Sequence, residues 1–529
     1  MGVRLLDCTL RDGGHINDSL FGEKVIHGVV QKMFRANVDY IEVGFLRTDM
    51  NTSSSDLAIF SSIDEAEAQI PVTEGKTKLV LMAQEDQFDV NCLKDCSEDS
   101  RFQMIRVSFH DYDYKEGLAF CKDVIAKGYQ CCINPINLTG YDDEGILHLV
   151  RETNRLKPVA FTIVDTFGSM HFQDLSRIYY LIENNLDSDI AIGLHLHENL
   201  SLSFSLSQSF LNIKNPCRDV IIDGSLYGMG RVPGNLCIEL MMDYLNLNYH
   251  TEYLVSEALE AIDEFIMSIR QKHPWGYSIA YSLSAKYRAH RTYAEYLLQK
   301  GKITIADINT IMEKIADCKK GCYDVKYIES LYREHMDVKV EDAQTLAKLK
   351  DQYEGKKICF VAPGESIRET AQLVSQIRER RVDYVFCLNF TEGKIPADGV
   401  FYTNQKRYGN DFLNLGSTIV ILSSNIRNGI GTACEIVSYA RLTDHFGHYS
   451  DSSLLMALKF AYLIRCAGVL LAGFDGFAGK EKYYKKGYER EQCYEKDTAD
   501  IRQLLSLYAS RLDISFLTFS EYKEYTCLN

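Results

Sequence analysis

Eight short apolar runs, each followed by a longer stretch of helical character, fill the first half of this chain. They lie at residues 3–10, 40–45, 78–83, 104–109, 130–136, 160–164, 190–196 and 220–225. Most are almost continuously apolar, as strands covered on both faces require. The segments between them, such as 23–34 and 174–184, repeat apolar positions at the helical period. Eight βα units within about 245 residues predict an α/β fold of the (β/α)8 or TIM-barrel kind. An open doubly wound sheet is the alternative, because counting strands does not prove closure.

The chain is 529 residues long, more than one ordinary domain. From about 252 to 350 strand signals vanish and apolar residues recur at three and four, as in 253–269 and 292–298. The charged stretch 348–357 (KLKDQYEGKK) reads as a linker. Strand and helix then alternate again, with strands expected at 357–361, 384–388, 400–403, 418–422 and 469–472. A helix is expected over 366–381, with Ser366 as N-cap and Glu369 three residues on. The expected organisation is a barrel at 1–250, a helical extension at 251–350 and a Rossmann-like α/β domain at 355–529.

Composition narrows the partners. Fifty-eight basic against 73 acidic residues give a net charge of −15, which repels nucleic acid and anionic membranes overall. Asp7, Arg11 and Asp12 break the first apolar run, so no signal peptide is expected, and Leu6 stands where a myristoylation signal needs Ser or Thr. No apolar stretch reaches the ~20 residues of a membrane span. Sixteen cysteines are spread over the whole length, some inside apparent core strands, which predicts a reduced, cytoplasmic protein. Cys92/Cys96 and Cys318/Cys322 are paired at helical spacing, and a four-cysteine zinc site is the minor reading of them.

In a parallel barrel the reactive groups stand just past the C-terminal ends of the strands. Read in order, those places hold Arg11, Asp12 and His15; Glu42 and Arg47; Asp165 and Thr166; His195, His197 and Asn199; and the loop GSLYGMGRVPGN from Gly224 to Asn235. His195 and His197 are two apart, so in a strand they share a face. Two imidazoles and a carboxylate, Asp12 being the natural one, form a divalent-metal set with open positions. The plain alternative is a group of polar barrel-lining residues bonded to one another.

LLDCTLRDGGH at 5–15 resembles the opening of the metal-dependent aldolases and acyltransferases called DRE-TIM metallolyases. IEVGF (41–45), VDTFGSM (164–170), GLHLHENLSL (193–202) and GSLYGMGRVPGN (224–235) resemble further blocks in matching order. The 4-hydroxy-2-oxovalerate aldolase branch is the nearer one, because His15 follows Arg11, Asp12, Gly13 and Gly14 directly. The resemblance implies that Asp12, His195 and His197 bind Mn²⁺ or Mg²⁺. It implies that Arg11 holds substrate and stabilises an enolate, and that His15 is the base. Thr166 replaces the branch's usual Ser near the substrate carboxylate, with Asn199 close by. Tyr281 is the best match to the proton-donating Tyr, with Tyr277 and Tyr287 as alternatives. No lysine lies in these blocks, which disfavours a Schiff-base aldolase.

The expected function is therefore a class II aldolase, a carbon–carbon lyase acting on a 2-oxo acid and an aldehyde through a pyruvate-type enolate. The alternatives are a Claisen-type acyl-CoA enzyme on the same metal site, and a non-catalytic sugar-phosphate- or nucleotide-binding scaffold. A homo-oligomer is expected.

Glu42 reads as a structural partner of Arg47 or another barrel arginine, and Arg231 as an anion contact. His110 and Asn134 read as pocket-lining residues. Gly228, Gly230 and Gly234 do not fit dinucleotide spacing and read as a tight loop over the barrel mouth. KICFVAPGESI (357–367) and LAGFDGF (471–477) leave two readings for the C-terminal domain: nucleotide or sugar-phosphate binding through a phosphate cradle at the turn, or an α/β domain that only packs or dimerises. The basic and aromatic segment 480–496 reads as a solvated helix or loop.

Overall fold

The computed structural model describes residues 2–48, 54–411, 418–427, 434–476 and 495–526. The chain packs as two compact units. One comprises Met1–Arg291 with Ala316–Tyr323, and the other Thr292–Ile315 with Asp324–Asn529.

The first unit is a closed parallel barrel. Its strands are β1 (Val3–Asp7), β2 (Tyr40–Leu46), β3 (Lys78–Gln84), β4 (Met104–Phe109), β5 (Gln130–Pro135), β6 (Ala160–Asp165), β7 (Ala191–Leu196) and β8 (Val220–Gly224). Strand β1 pairs in parallel with both β2 (Leu6 opposite Tyr40) and β8 (Val3 opposite Val220), which closes the sheet. A two-residue strand, Ile59–Phe60, adds to β2 on the outside of this ring.

Two-residue alternation sorts the side chains. Leu6, Tyr40, Val80, Met104, Cys132, Ala160, Ala191 and Ile221 pack together in the barrel interior. Their neighbours Leu5, Ile41, Leu79 and Ile105 face outward into the larger core beneath the helices. The helices present matching stripes. Glu23–Arg35 buries Ile26, Val29, Val30, Met33 and Phe34, and Phe172–Glu183 buries Leu175, Ile178, Tyr179 and Ile182.

The second unit holds seven parallel strands: β9 (Lys357–Val361), β10 (Tyr384–Leu388), β11 (Gly399–Tyr402), β12 (Ile419–Ser423), β13 (Glu435–Val437), β14 (Gly468–Ala472) and β15 (Ile514–Phe516). Their order is β13-β12-β11-β10-β9-β14-β15. The chain winds outward from β9 on one side and returns to its other side at β14, which makes the β9/β14 boundary the topological switch point.

The turn after β9 differs from expectation. Residues Glu365–Ile367 form a 3-10 turn and the helix begins later, at Thr370. Ser366 does not cap that helix. Its backbone N–H donates to Asp475 Oδ2 at 2.9 Å, and its hydroxyl bonds Asp475 and Thr518. A carboxylate thus already takes the amide and hydroxyl of the turn that reads as a phosphate cradle. Residues 480–494 lie outside the described residues. Among the described residues no helix is long and apolar enough to cross a membrane.

Candidate active site

Asp12 lies in the turn after β1, where Gly13–Ile16 form a 3-10 helix. Its Oδ1 accepts from Arg11 Nη1 at 2.7 Å, and its Oδ2 accepts from Asn235 Nδ2 at 2.6 Å and from the Arg231 backbone N–H at 3.3 Å. Burial works to raise the Asp12 pKa. The positive charge of Arg11, helped by His197, His195 and His15, outweighs it and holds the carboxylate well below its ordinary value.

His195 ends the inward face of β7 and His197 follows two residues on. Their rings meet edge to face, with centroids 5.0 Å apart. The ligand atoms of Asp12, His195 and His197 all lie within 4.8 Å of one another. Among the described residues this is the one cluster of three or more such groups arranged to hold an ion. Cys92, Cys318 and Cys322 are exposed and Cys96 half-buried, and none belongs to such a cluster.

The donors suit a divalent cation chemically. Burial lowers the His197 pKa to about 3, against the pull of Asp12, so its imidazole is neutral and can offer a lone pair. His195 Nδ1 lies 3.0 Å from Asp223 Oδ2. Arg106 keeps Asp223 ionised despite its burial, so His195 donates there and its Nε2 is the nitrogen left to ligate.

A chain of buried charges supports this cluster from below. Arg11 Nε donates to Glu42 Oε2 at 2.6 Å. Glu42 pairs with Arg106 at 3.2 Å, and Arg106 bonds both Asp223 and, at 3.0 Å, Asn134 Oδ1. Glu42 therefore partners Arg11 and Arg106, and Asn134 serves Arg106 inside the barrel. Arg106 and Asp223 escape a reading by residue type because they sit inside otherwise apolar strands. The available signal was phase: each lies two residues beyond an inward apolar side chain, Met104 and Ile221.

His15 stands at the mouth with 43 % of its side chain exposed, its Nε2 3.9 Å from Asp12 Oδ1. Its ring meets Phe45 edge-on at 5.8 Å, and the Arg11 guanidinium lies over the same ring. Desolvation in the mouth lowers its pKa, Asp12 opposes, and Arg231, Arg11 and Arg291 lower it further. His15 is therefore a neutral base near neutral pH.

Thr166, Asn199 and His197 line one cavity with Phe167, Arg231 and Arg291. The Thr166 hydroxyl accepts from the Asn137 backbone N–H at 2.7 Å. Asp165, just before it, accepts the N–H groups of Ser169 and Met170 and so folds the loop that carries Phe167. Asn199 Nδ2 reaches the Tyr281 carbonyl at 3.4 Å, which brings the helix Ile279–Lys286 to the site by its backbone. Tyr281 is half-buried and is not among the cavity's lining residues, while Tyr277 is 64 % exposed. His110 stacks on Tyr112 at 4.7 Å.

The glycines of the loop after β8 allow close approach. A Cβ on Gly230 would lie 2.3 Å from Asn235 Nδ2, the group that bonds Asp12. Gly234, at φ +128°, would meet the Gly228 carbonyl at 2.4 Å.

Residues 2–266, half of the chain, match the HMGL-like family. The chain belongs to that family. Its HMGL-like half is similar to 4-hydroxy-2-oxovalerate aldolase of Moorella thermoacetica, 25% identical over 282 residues, which span 50% of this chain and 78% of the relative. It is also similar to oxaloacetate decarboxylase of Mycobacterium tuberculosis, 21% identical over 250 residues, spanning 46% and 70%. The N-terminal domain of a candidate aldolase from Bacteroides vulgatus superposes with a TM-score of 0.49 at 20% identity, covering 56% of this chain and 96% of that one.

Proposed function

We propose that the barrel is a divalent-metal-dependent carbon–carbon lyase that makes or cleaves a bond of a 2-oxo acid by way of a pyruvate-type enolate. The observation that carries this reading is the Asp12, His195 and His197 cluster with the Arg11 guanidinium fixed beside it. Mn²⁺ or Mg²⁺ held by these three residues would supply Lewis-acid polarisation of the substrate carbonyl.

The chain's own residues account for the other requirements. Glu42 and Asp12 hold Arg11 on two sides, so its charge faces a developing enolate without reorganising. In the cleavage direction His15 takes the proton of the 4-hydroxyl, and the C3–C4 bond breaks. Its electron pair passes to C3 as the enolate while C4 leaves as the aldehyde carbonyl. An acid returns a proton to C3, and Tyr281 is assigned that role. Thr166 and Asn199 orient the substrate carboxylate. An aldolase and a decarboxylase both stand among the relatives, and cleavage of either bond from a 2-oxo acid leaves the same enolate.

Mn²⁺-dependent deuterium exchange into the methyl group of pyruvate tests the reading. Wild type is expected to exchange and Asp12→Asn to lose exchange. A wild-type protein that is folded and metal-loaded yet gives no exchange overturns the enolate reading.

A further inference from the structure

Tyr227, in the loop after β8, holds a left-handed backbone conformation at φ +54°, which its side chain disfavours. A residue other than glycine stays there only where its surroundings over-determine it. Here they do so from three sides. The Tyr227 N–H donates to Glu239 Oε2 at 3.1 Å, and the Tyr227 carbonyl accepts from Trp275 Nε1 at 3.0 Å. The Arg270 guanidinium lies over the Tyr227 ring, 4.6 Å from its centroid, and over the Trp275 ring at 5.6 Å. The two rings meet edge to face with centroids 6.4 Å apart.

Arg270 belongs to the helix Met267–Lys272 and Trp275 follows it, so both stand beyond the residues 2–266 that match the family. Trp275 is 7 % exposed and is the single tryptophan of the chain. Neither residue, nor Tyr227, has a part in the chemistry above.

Tyr227 fixes the turn that follows it. The next carbonyl, that of Gly228, accepts the Asn235 N–H at 3.0 Å and closes the loop on itself. Asn235 then reaches two members of the metal cluster. Its Nδ2 donates to Asp12 Oδ2 at 2.6 Å, and its backbone pairs with that of His197 as an isolated antiparallel bridge. Gly234, beside Asn235, packs against the indole: a Cβ there would lie 3.4 Å from Trp275.

We infer that Trp275, with Arg270 and Tyr227, is a positioning element for the metal cluster. The indole N–H pins the Tyr227 carbonyl, the pinned turn places the Gly228 carbonyl, and that carbonyl holds Asn235 against Asp12. These three side chains touch no reacting atom and act through Asn235. The inference rests on the reading of Asp12, His195 and His197 as metal ligands. Coupling of this kind is reciprocal, so an indole bond that tightens metal binding is itself tightened by the metal.

The test uses the full chain. Calorimetric titration with Mn²⁺ compares wild type with Trp275→Phe, which keeps an aromatic ring and removes the N–H, and with Arg270→Met, which removes the stacked cation. Each is expected to weaken Mn²⁺ binding roughly 3–10-fold, the scale of one neutral hydrogen bond or one cation–π contact. Denaturant unfolding of the same proteins separates affinity from stability. A lower unfolding midpoint with unchanged Mn²⁺ affinity in both folded variants overturns the inference. Mg²⁺ supplies a second readout in the wild type. It is a closed-shell ion that does not itself quench indole emission. A saturable change in Trp275 fluorescence at the calorimetric affinity, absent in Asp12→Asn, is therefore expected from the coupling. Emission that stays constant while Mg²⁺ binds overturns it. A wild type that binds neither ion removes the metal reading and this inference with it, whereas binding that both folded variants share with the wild type removes this inference alone.

Discussion

His195 Nδ1 lies 3.0 Å from Asp223 Oδ2, and this contact ends a buried chain of charges that runs through Arg106 and Glu42 to Arg11 and Asp12. The first and last parts of the candidate metal cluster are thus tied together beneath the site. Asp223 sets both the proton position and the plane of the His195 ring. Asp223→Asn is expected to weaken Mn²⁺ binding roughly 10–100-fold while the protein stays folded. Calorimetric titration of Mn²⁺ checks this. Unchanged affinity would show that the contact only fills space.

Arg106 is expected to matter most for stability. It is 3 % exposed at its side chain and pairs with two carboxylates, Glu42 and Asp223. Removing the shared cation leaves Asp223 buried with only the His195 contact and Glu42 with Arg11 as its one remaining guanidinium. Arg106→Met should cost about 3–5 kcal/mol of barrel stability, and denaturant unfolding measures it. Restoring the balance in Arg106→Met with Glu42→Gln should recover part of the loss, which a simple packing defect would not.

The barrel was legible because its signal is local and repeated. Each strand is a short apolar run followed by a helical period, and the eight expected runs lie within two residues or so of β1 to β8 at most ends. Arg11, Asp12, His15, Thr166, His195, His197 and Asn199 could be picked out because they stand at strand ends, where side chains project into the mouth. Arg106 and Asp223 could not, since their pairing spans 117 residues and each sits within an apolar strand. Arg291 belongs to a stretch with no barrel period, so nothing local connects it with Arg231. Strands β13 and β15 are only three residues long, too short for alternation to show. Ser366 has the right spacing for a cap, but Asp475, more than a hundred residues on, takes its hydroxyl.

Gly230 offers a steric test of the loop after β8. A Cβ there falls 2.3 Å from Asn235 Nδ2, and Asn235 has Asp12 as its partner at 2.6 Å. Gly230→Ala must move the Asn235 amide and deprive Asp12 of a donor. We expect a loss of about 1–3 kcal/mol in stability together with weaker Mn²⁺ binding. Gly276→Ala tests conformation alone, because its Cβ meets nothing within 4 Å; it should affect stability without affecting the metal.

Asp7 gives the barrel a pH dependence of its own. It lies on β1 facing the outer core, takes Thr9 N–H and hydroxyl at Oδ1, and is fully buried. Burial raises its pKa from 3.8 to about 7, Thr9 lowers it in part, and Glu42 and Glu239 raise it again. The folded protein therefore holds a proton that the unfolded chain has lost. Between pH 3.8 and about 7 the unfolded state binds fewer protons, so this carboxyl makes stability fall as pH rises and has no further effect above that window. The full effect is ~4 kcal/mol, an upper bound set by the difference between the two values. Asp7→Asn cannot titrate, so its stability relative to wild type should climb steadily from pH 4 to 7 and then level off. Denaturant unfolding of both proteins across that range measures it. A difference that stays flat with pH would mean that Asp7 is ionised in the folded barrel.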